Sequence, residues 1–239
     1  MIETIGADIV RGRFAPGTLL PKEADLVAEY QVSRTSVREA MKVLAAKGLI
    51  EIRRKIGTRV RPRDLWNMFD SDVLAWHHRQ GLGEAVLRDL IELRQIIEPP
   101  AARLAAGRAS MGDLRVIEHA LAHMAENVRD PENYAASDVS FHMAVLAASH
   151  NALLQRFGHL VADFLLMSFS IQQQAVSGEV PDFSADAARH REVYQAINRG
   201  EPEVASRAML EVILDGKSAL TEALESLKGS APSTGRPGK

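Results

Sequence analysis

The amino-terminal part of the chain alternates short amphipathic blocks with breakers. Ile5, Ile9 and Val10 recur at helical spacing and stop at "GRFAPGTLLP", where Gly12, Pro16 and Gly17 interrupt the pattern. A second helix is predicted from near Pro21, a residue suited to a first helical turn, with Leu26, Val27 and Tyr30 as its apolar positions. Ser33 is placed to cap a third helix in which Val37, Ala40, Met41 and Leu44 fall at core spacing. Gly48 ends that helix, and "LIEI" and "TRV" read as two short strands around the basic turn "RRKIG". Residues 1–64 therefore read as helix, turn, helix, helix and ribbon.

The segment from Asp64 to about Gly83, "DLWNMFDSDVLAWHHRQGLG", holds both tryptophans but only weak periodicity, and residues 65–83 are expected to form an ordered connector. From 84 to 226 nearly every stretch has helical spacing, interrupted at "GRASMGD", "NVRDPEN", "SGEVPDFSAD" and "NRGEPE". Six or so helices of bundle-forming length follow. The closing "KGSAPSTGRPGK" lacks apolar anchors, which predicts a disordered tail over 227–239. The fold class expected is mainly α, an amino-terminal winged helix-turn-helix followed by an all-α helical bundle.

Composition adds a division of charge. The 239 residues carry a net charge of −2, but residues 1–64 hold 13 Lys/Arg against 8 Asp/Glu, and the remainder 16 against 23. A basic module on an acidic body suggests that only the first part meets phosphate. With 46% hydrophobic residues, no cysteine, no apolar run of membrane-spanning length and no signal-peptide pattern, a cytoplasmic protein with a substantial core is expected.

On the third helix Arg34, Thr35, Arg38 and Lys42 share a face away from the core positions. A helix entering the major groove by its amino end needs short hydroxyls near the phosphates and arginines that reach guanine in bidentate fashion. Arg34, Thr35, Ser36 and Arg38 supply that set. A basic helix or a basic hairpin alone reads as solvated surface; their order here favours a DNA-reading unit.

In the body, Leu87, Leu90, Ile91, Arg94, Ile97 and Ala101 form one stripe. An arginine among apolar neighbours needs a counter-charge, and Glu98 one turn on would supply it internally; a ligand carboxylate is the other candidate. Pro99 and Pro100 are expected to kink this helix. In "YAASDVSFHMAVLAASHNALL", Asp138 and His142 are four apart, and flanking Phe141 and Val145 turn that face inward. The pair could chelate a divalent metal or form only a local hydrogen bond. His190, opening "HREVYQAINRG", could supply a third ligand. His77, His78, His119, His123, His150 and His159 show no comparable pattern, and ordinary surface or structural roles are expected for them.

The stretch "IVRGRFAPGTLLPKEADLVAEYQVSRTSVREAMKVLAAKGLIEIRRKIGTRV" resembles the winged helix of the GntR regulator family. The resemblance implies that Arg34, Thr35, Ser36 and Arg38 contact DNA and that Gly57, at the wing tip, enters the minor groove. Ala24 stands where many relatives have arginine, and the wing reads "RRKIGT" rather than "GxGT". The body, through "LRQIIEPPAARLAA", "SDVSFHMAVLAASHNALL" and "HREVYQAINRGEPEVASRAM", resembles the FCD effector-binding domain of the FadR subfamily. That resemblance implies metal ligands at Asp138, His142 and His190, with the usual fourth histidine replaced by Val212, and a site completed by water and effector. It also implies that Arg94 holds the carboxylate of an organic acid; zinc is the expected metal, with nickel or manganese as alternatives. The segment "RPRDLWNMFDSDVLAW" resembles its counterpart in repressors of galactonate and related sugar-acid operons.

These resemblances imply a homodimeric repressor released from a palindromic operator by an aldonate. A metal-dependent enzyme using Asp138, His142 and His190 is the alternative.

Overall fold

The computed structural model describes residues 1–79, 83–176 and 180–230. The chain divides into two compact units, Met1–Val86 and Leu87–Lys239. Among the described residues no helix is long and apolar enough to cross a membrane.

The first unit opens with α1 (Ile2–Arg11), which ends at Gly12 in the left-handed conformation, φ 89°. A glycine makes that reversal without a Cβ penalty. Helix α2 (Glu23–Tyr30) starts later than expected: Lys22 is the cap residue and Pro21 lies outside. Ser33 caps α3 (Arg34–Ala46), its hydroxyl accepting from the Ser36 amide at 3.1 Å, a contact typically worth about 1 kcal/mol. Val37, Ala40, Met41 and Leu44 are buried as their spacing requires. Strands β1 (Ile50–Arg53) and β2 (Gly57–Val60) pair antiparallel, with Arg53 opposite Gly57. The segment read only as a breaker adds a third line of pairing. Leu20 N donates to Thr58 O at 2.8 Å, and Val60 N to Thr18 O at 2.9 Å.

The segment expected to be a connector belongs to the core of this unit. It forms a single 3-10 turn at Arg63–Leu65 and helix α4 (Ser71–Arg79), and Trp66, Val73 and Trp76 join the cluster that contains Ile5, Ile9 and Leu44. Gly6 is the reason α4 lies so close to α1. A Cβ there would sit 2.4 Å from the Trp76 ring. The indole Nε1 donates to Glu3 Oε2 at 2.9 Å, so the buried ring has its polar atom satisfied.

The second unit is a bundle built from α5 (Gly83–Arg108), α6 (Met111–Glu126), α7 (Pro131–Ala148), α8 (Ala152–Ala175), α9 (Ser184–Asn198) and α10 (Pro202–Ser230). Helix α5 begins in the first unit's last residues and runs through Pro99 and Pro100 without interruption. Ser110 and Asp113 form a reciprocal capping box at the start of α6, and Asn151 caps α8. The core joins Ala102, Ile117, Tyr134, Phe169, Val193 and Met209 from six helices, of which α7 is buried on nearly every side. Residues 227–230, expected in the tail, continue α10; residues 231–239 of that tail lie outside the described residues.

Candidate functional site

In the first unit, Arg34, Thr35, Ser36 and Arg38 are all exposed on the outer face of α3. The Ser33 bond uses the Ser36 amide, and the two serine hydroxyls lie 2.9 Å apart. Arg38 Nε donates to Glu23 Oε2 of α2 at 2.8 Å, so the guanidinium is aimed before any ligand arrives. Gly57, φ 117°, closes the exposed turn of Arg54, Lys55 and Ile56. Cations therefore stand exposed on both the helix and the wing, with Val37, Ala40, Met41 and Leu44 of α3 turned inward and Ile52 and Ile56 of the wing exposed.

In the second unit, α7 presents Asp138 and His142 one above the other, and α9 brings His190 against them. His190 lies in the second turn of α9, which begins earlier than the sequence suggested, at Ser184. His190 Nε2 is 3.0 Å from Asp138 Oδ1 and 3.4 Å from His142 Nε2, and His142 Nε2 is 3.7 Å from Asp138 Oδ1. All three side chains are buried.

Two neighbours fix the rings. Glu98 of α5 accepts from His142 Nδ1 at 2.5 Å, which leaves the Nε2 lone pair facing the cluster. His190 Nδ1 donates to the Asp186 carbonyl at 2.8 Å. Burial disfavours a charge on His190, but Asp186 and the bond to Asp138 outweigh it and push its pKa up to about 9. Burial alone would raise the Asp138 carboxyl; the two histidines and Arg94 hold it below the usual range.

The donors themselves decide whether a metal fits. One carboxylate oxygen and two imidazole nitrogens, mutually within 4.8 Å and backed by second partners, are a borderline metal's donor set. Val212, where the resemblance places a fourth histidine, is on the wall of the same cavity and offers no ligand.

Arg94 adds a guanidinium beside the cluster. Only 5% exposed, it pairs through Nε with Glu98, donates from Nη2 to His142 Nε2 at 3.4 Å and lies 5.0 Å from the centre of the Phe164 ring. The internal pair with Glu98 is therefore present, and Arg94 also lines the cavity beside the cluster. The cavity measures about 240 Å³ and takes Ser168 and Gln172 from α8, Arg189 from α9 and Asp215 from α10. Sequence reasoning missed these four polar residues, because each comes from a helix whose inward face is set only by packing. Glu98 was legible as the partner of Arg94 but not as that of His142, 44 positions away.

The chain matches the family model "Bacterial regulatory proteins, gntR family" over residues 2–60 and the FCD domain model over residues 89–215. It is 33% identical to the galactonate operon transcriptional repressor of Escherichia coli (strain K12), over 93% of this chain and 96% of that protein. It is 29% identical to the HTH-type transcriptional regulator LutR of Bacillus subtilis (strain 168), over 89% and 96%. Among solved structures, E. coli McbR/YncC has the same fold, with a TM-score of 0.57, 15% identity and coverage of 93% of this chain and 96% of that one. With both segments matched and nearly the whole length shared, the chain belongs to the gntR family of bacterial regulatory proteins and carries an FCD domain.

Proposed function

We propose that this protein is a transcriptional repressor that binds operator DNA as a homodimer and is released by a sugar acid of the galactonate type. The observation that carries the reading is one small, partly open cavity in which Arg94 stands 3.4 Å from a donor atom of the buried Asp138, His142 and His190 cluster. Arginine takes a carboxylate, and a bound divalent ion, zinc first with nickel or manganese as alternatives, would attract the acid's carboxylate and hydroxyl oxygens. Ser168 and Gln172 offer hydrogen bonds to further hydroxyls. The volume of about 240 Å³ is below the ~300–1,000 Å³ of pockets for larger ligands, which favours a short polar acid over a fatty acyl chain.

Arg34, Thr35, Ser36 and Arg38 would meet the major groove, and Gly57 would let the wing approach the minor groove. A twofold protein reads a palindrome with one head per half-site. Release by the acid requires that the DNA-bound form bind it more weakly, because the coupling is reciprocal.

The enzyme reading is poorer. The named relatives are regulators, and the carboxylates around the cavity are engaged: Asp215 with Arg189, Asp186 with Tyr134 and His190, Asp182 with Ser184 and Arg129. None stands as a general base.

The test begins with an operator selected from random duplex DNA by the full-length protein, followed by mobility shift with a panel of aldonates and zinc. Release by one aldonate at concentrations where simple carboxylates do nothing is expected. Retention unchanged across the saturating panel rejects sugar-acid induction, and failure to select any sequence rejects specific DNA binding.

A further inference from the structure

His119 and His123 were expected to have ordinary roles, yet they share the four-residue spacing of Asp138 and His142. The structure turns both rings to one point on the exposed side of α6. Their Nε2 atoms are 3.3 Å apart, with ring centroids 4.4 Å apart and planes at 68°. That separation is long for a hydrogen bond between two nitrogens. It matches the roughly 3.3 Å between two nitrogens that each lie about 2.0–2.1 Å from one tetrahedral ion.

The surroundings favour the same occupant. Glu126 Oε2 lies 3.6 Å from His123 Nδ1 on the far side of the ring. Too far for a hydrogen bond, the carboxylate still favours by its charge a proton on Nδ1 and a lone pair on Nε2, and its negative charge attracts a cation. Asn127 Nδ2 donates to the His123 carbonyl at 2.8 Å, which braces the last turn of the helix. The two histidines border a shallow cavity of about 300 Å³ whose other polar residues, Asn127, Asn133, Ser137 and Ser140, are all neutral. Among the described residues no lysine or arginine lines it to repel a cation.

We propose that His119 and His123 form a second metal site, exposed on α6, for a divalent transition-metal ion that prefers imidazole: copper(II), nickel or zinc. It is separate from the buried cluster and does not depend on the effector reading. Two protein ligands leave its remaining positions to water, so it binds more weakly than three buried ligands. Affinity rises from zinc or nickel to copper, as for any such nitrogen site.

The experiment uses full-length protein without an affinity tag, above the ordinary histidine pKa of about 6.5. Nickel or zinc is titrated by calorimetry, with elemental analysis after dialysis. The native protein should show two classes of site. His119→Ala combined with His123→Ala should remove the weaker class and keep the tighter one, whereas His142→Ala should do the reverse. Glu126→Gln should weaken the second class several-fold through loss of the negative charge beside His123. A weaker class that survives in the double variant overturns the proposal, as does a single class in the native protein that only His142→Ala abolishes. If the double variant loses its circular-dichroism spectrum, His123→Gln and Glu126→Gln decide the matter, and unchanged weaker binding in both overturns it.

Discussion

Glu98 accepts from His142 Nδ1 at 2.5 Å while its other oxygen pairs with Arg94 Nε, so one carboxylate of α5 holds both the cavity arginine and the His142 ring of α7. Both Glu98 and His142 are 1% exposed. Removing one partner from such a group leaves charge buried without compensation, which costs more than the intact arrangement contributes. The carboxylate also sets which nitrogen of His142 faces the cluster, and it fixes the Arg94 guanidinium beside it.

Glu98→Ala should accordingly destabilise the protein by about 3–5 kcal/mol in denaturant unfolding. Glu98→Gln keeps the volume and should weaken zinc binding by ~10–100-fold in a chelator competition, leaving operator affinity unchanged. Burial would raise the Glu98 pKa, but Arg94 and His142 outweigh it and hold it at about 2, below the ordinary 4.5. A lowered folded-state pKa means stability fully present above pH 4.5 and lost as pH falls toward 2. Acid unfolding of Glu98→Gln should be correspondingly flatter across that window.

Val212 stands 4% exposed on the cavity wall where the family resemblance places a histidine. Val212→His should complete a four-ligand set and tighten zinc binding by one to two orders of magnitude, roughly 1.4–2.8 kcal/mol. The same competition assay reads the change. Unaltered affinity would mean that position 212 cannot reach the ion.

Much of the fold was legible because period and punctuation agreed. Ser33 before Val37, Ala40, Met41 and Leu44 marks both the start and the buried face of α3, and the Asp138 and His142 spacing puts two donors on one inward face. The misreadings share a cause, long-range contact. The weak pattern around Trp66 and Trp76 hides α4, because what orders it is Gly6, some seventy positions earlier, leaving room for an indole. Arg189 and Asp215 come from different helices, and no local rule announces that they meet.

The Gly6 contact is itself testable. With the Trp76 ring 2.4 Å from where a Cβ would stand, Gly6→Ala must push α4 away from α1. Overpacking of this kind costs about 1–3 kcal/mol, which urea unfolding should report. Because Trp76 is fully buried, its emission in the folded variant should shift to the red; unchanged emission and stability would show that the ring yields without cost.

The ion pair between Arg38 and Glu23 separates two ways of losing DNA binding. If Arg38 reads a base edge as proposed, Arg38→Ala should cost about 1–3 kcal/mol on the selected operator, with specificity relaxed at one position of each half-site. Glu23→Gln removes only the acceptor 2.8 Å from Arg38 Nε and takes away a negative charge from the binding face. Its specific affinity should fall less than that of Arg38→Ala. Its affinity for unrelated DNA should hold or rise, since phosphate attraction is set by charge. The ratio of specific to non-specific binding then drops in both variants, but through opposite terms, which mobility shifts at two salt concentrations can resolve. An equal loss on both kinds of DNA in Glu23→Gln would mean that the pair braces α2 against α3 rather than aiming the arginine.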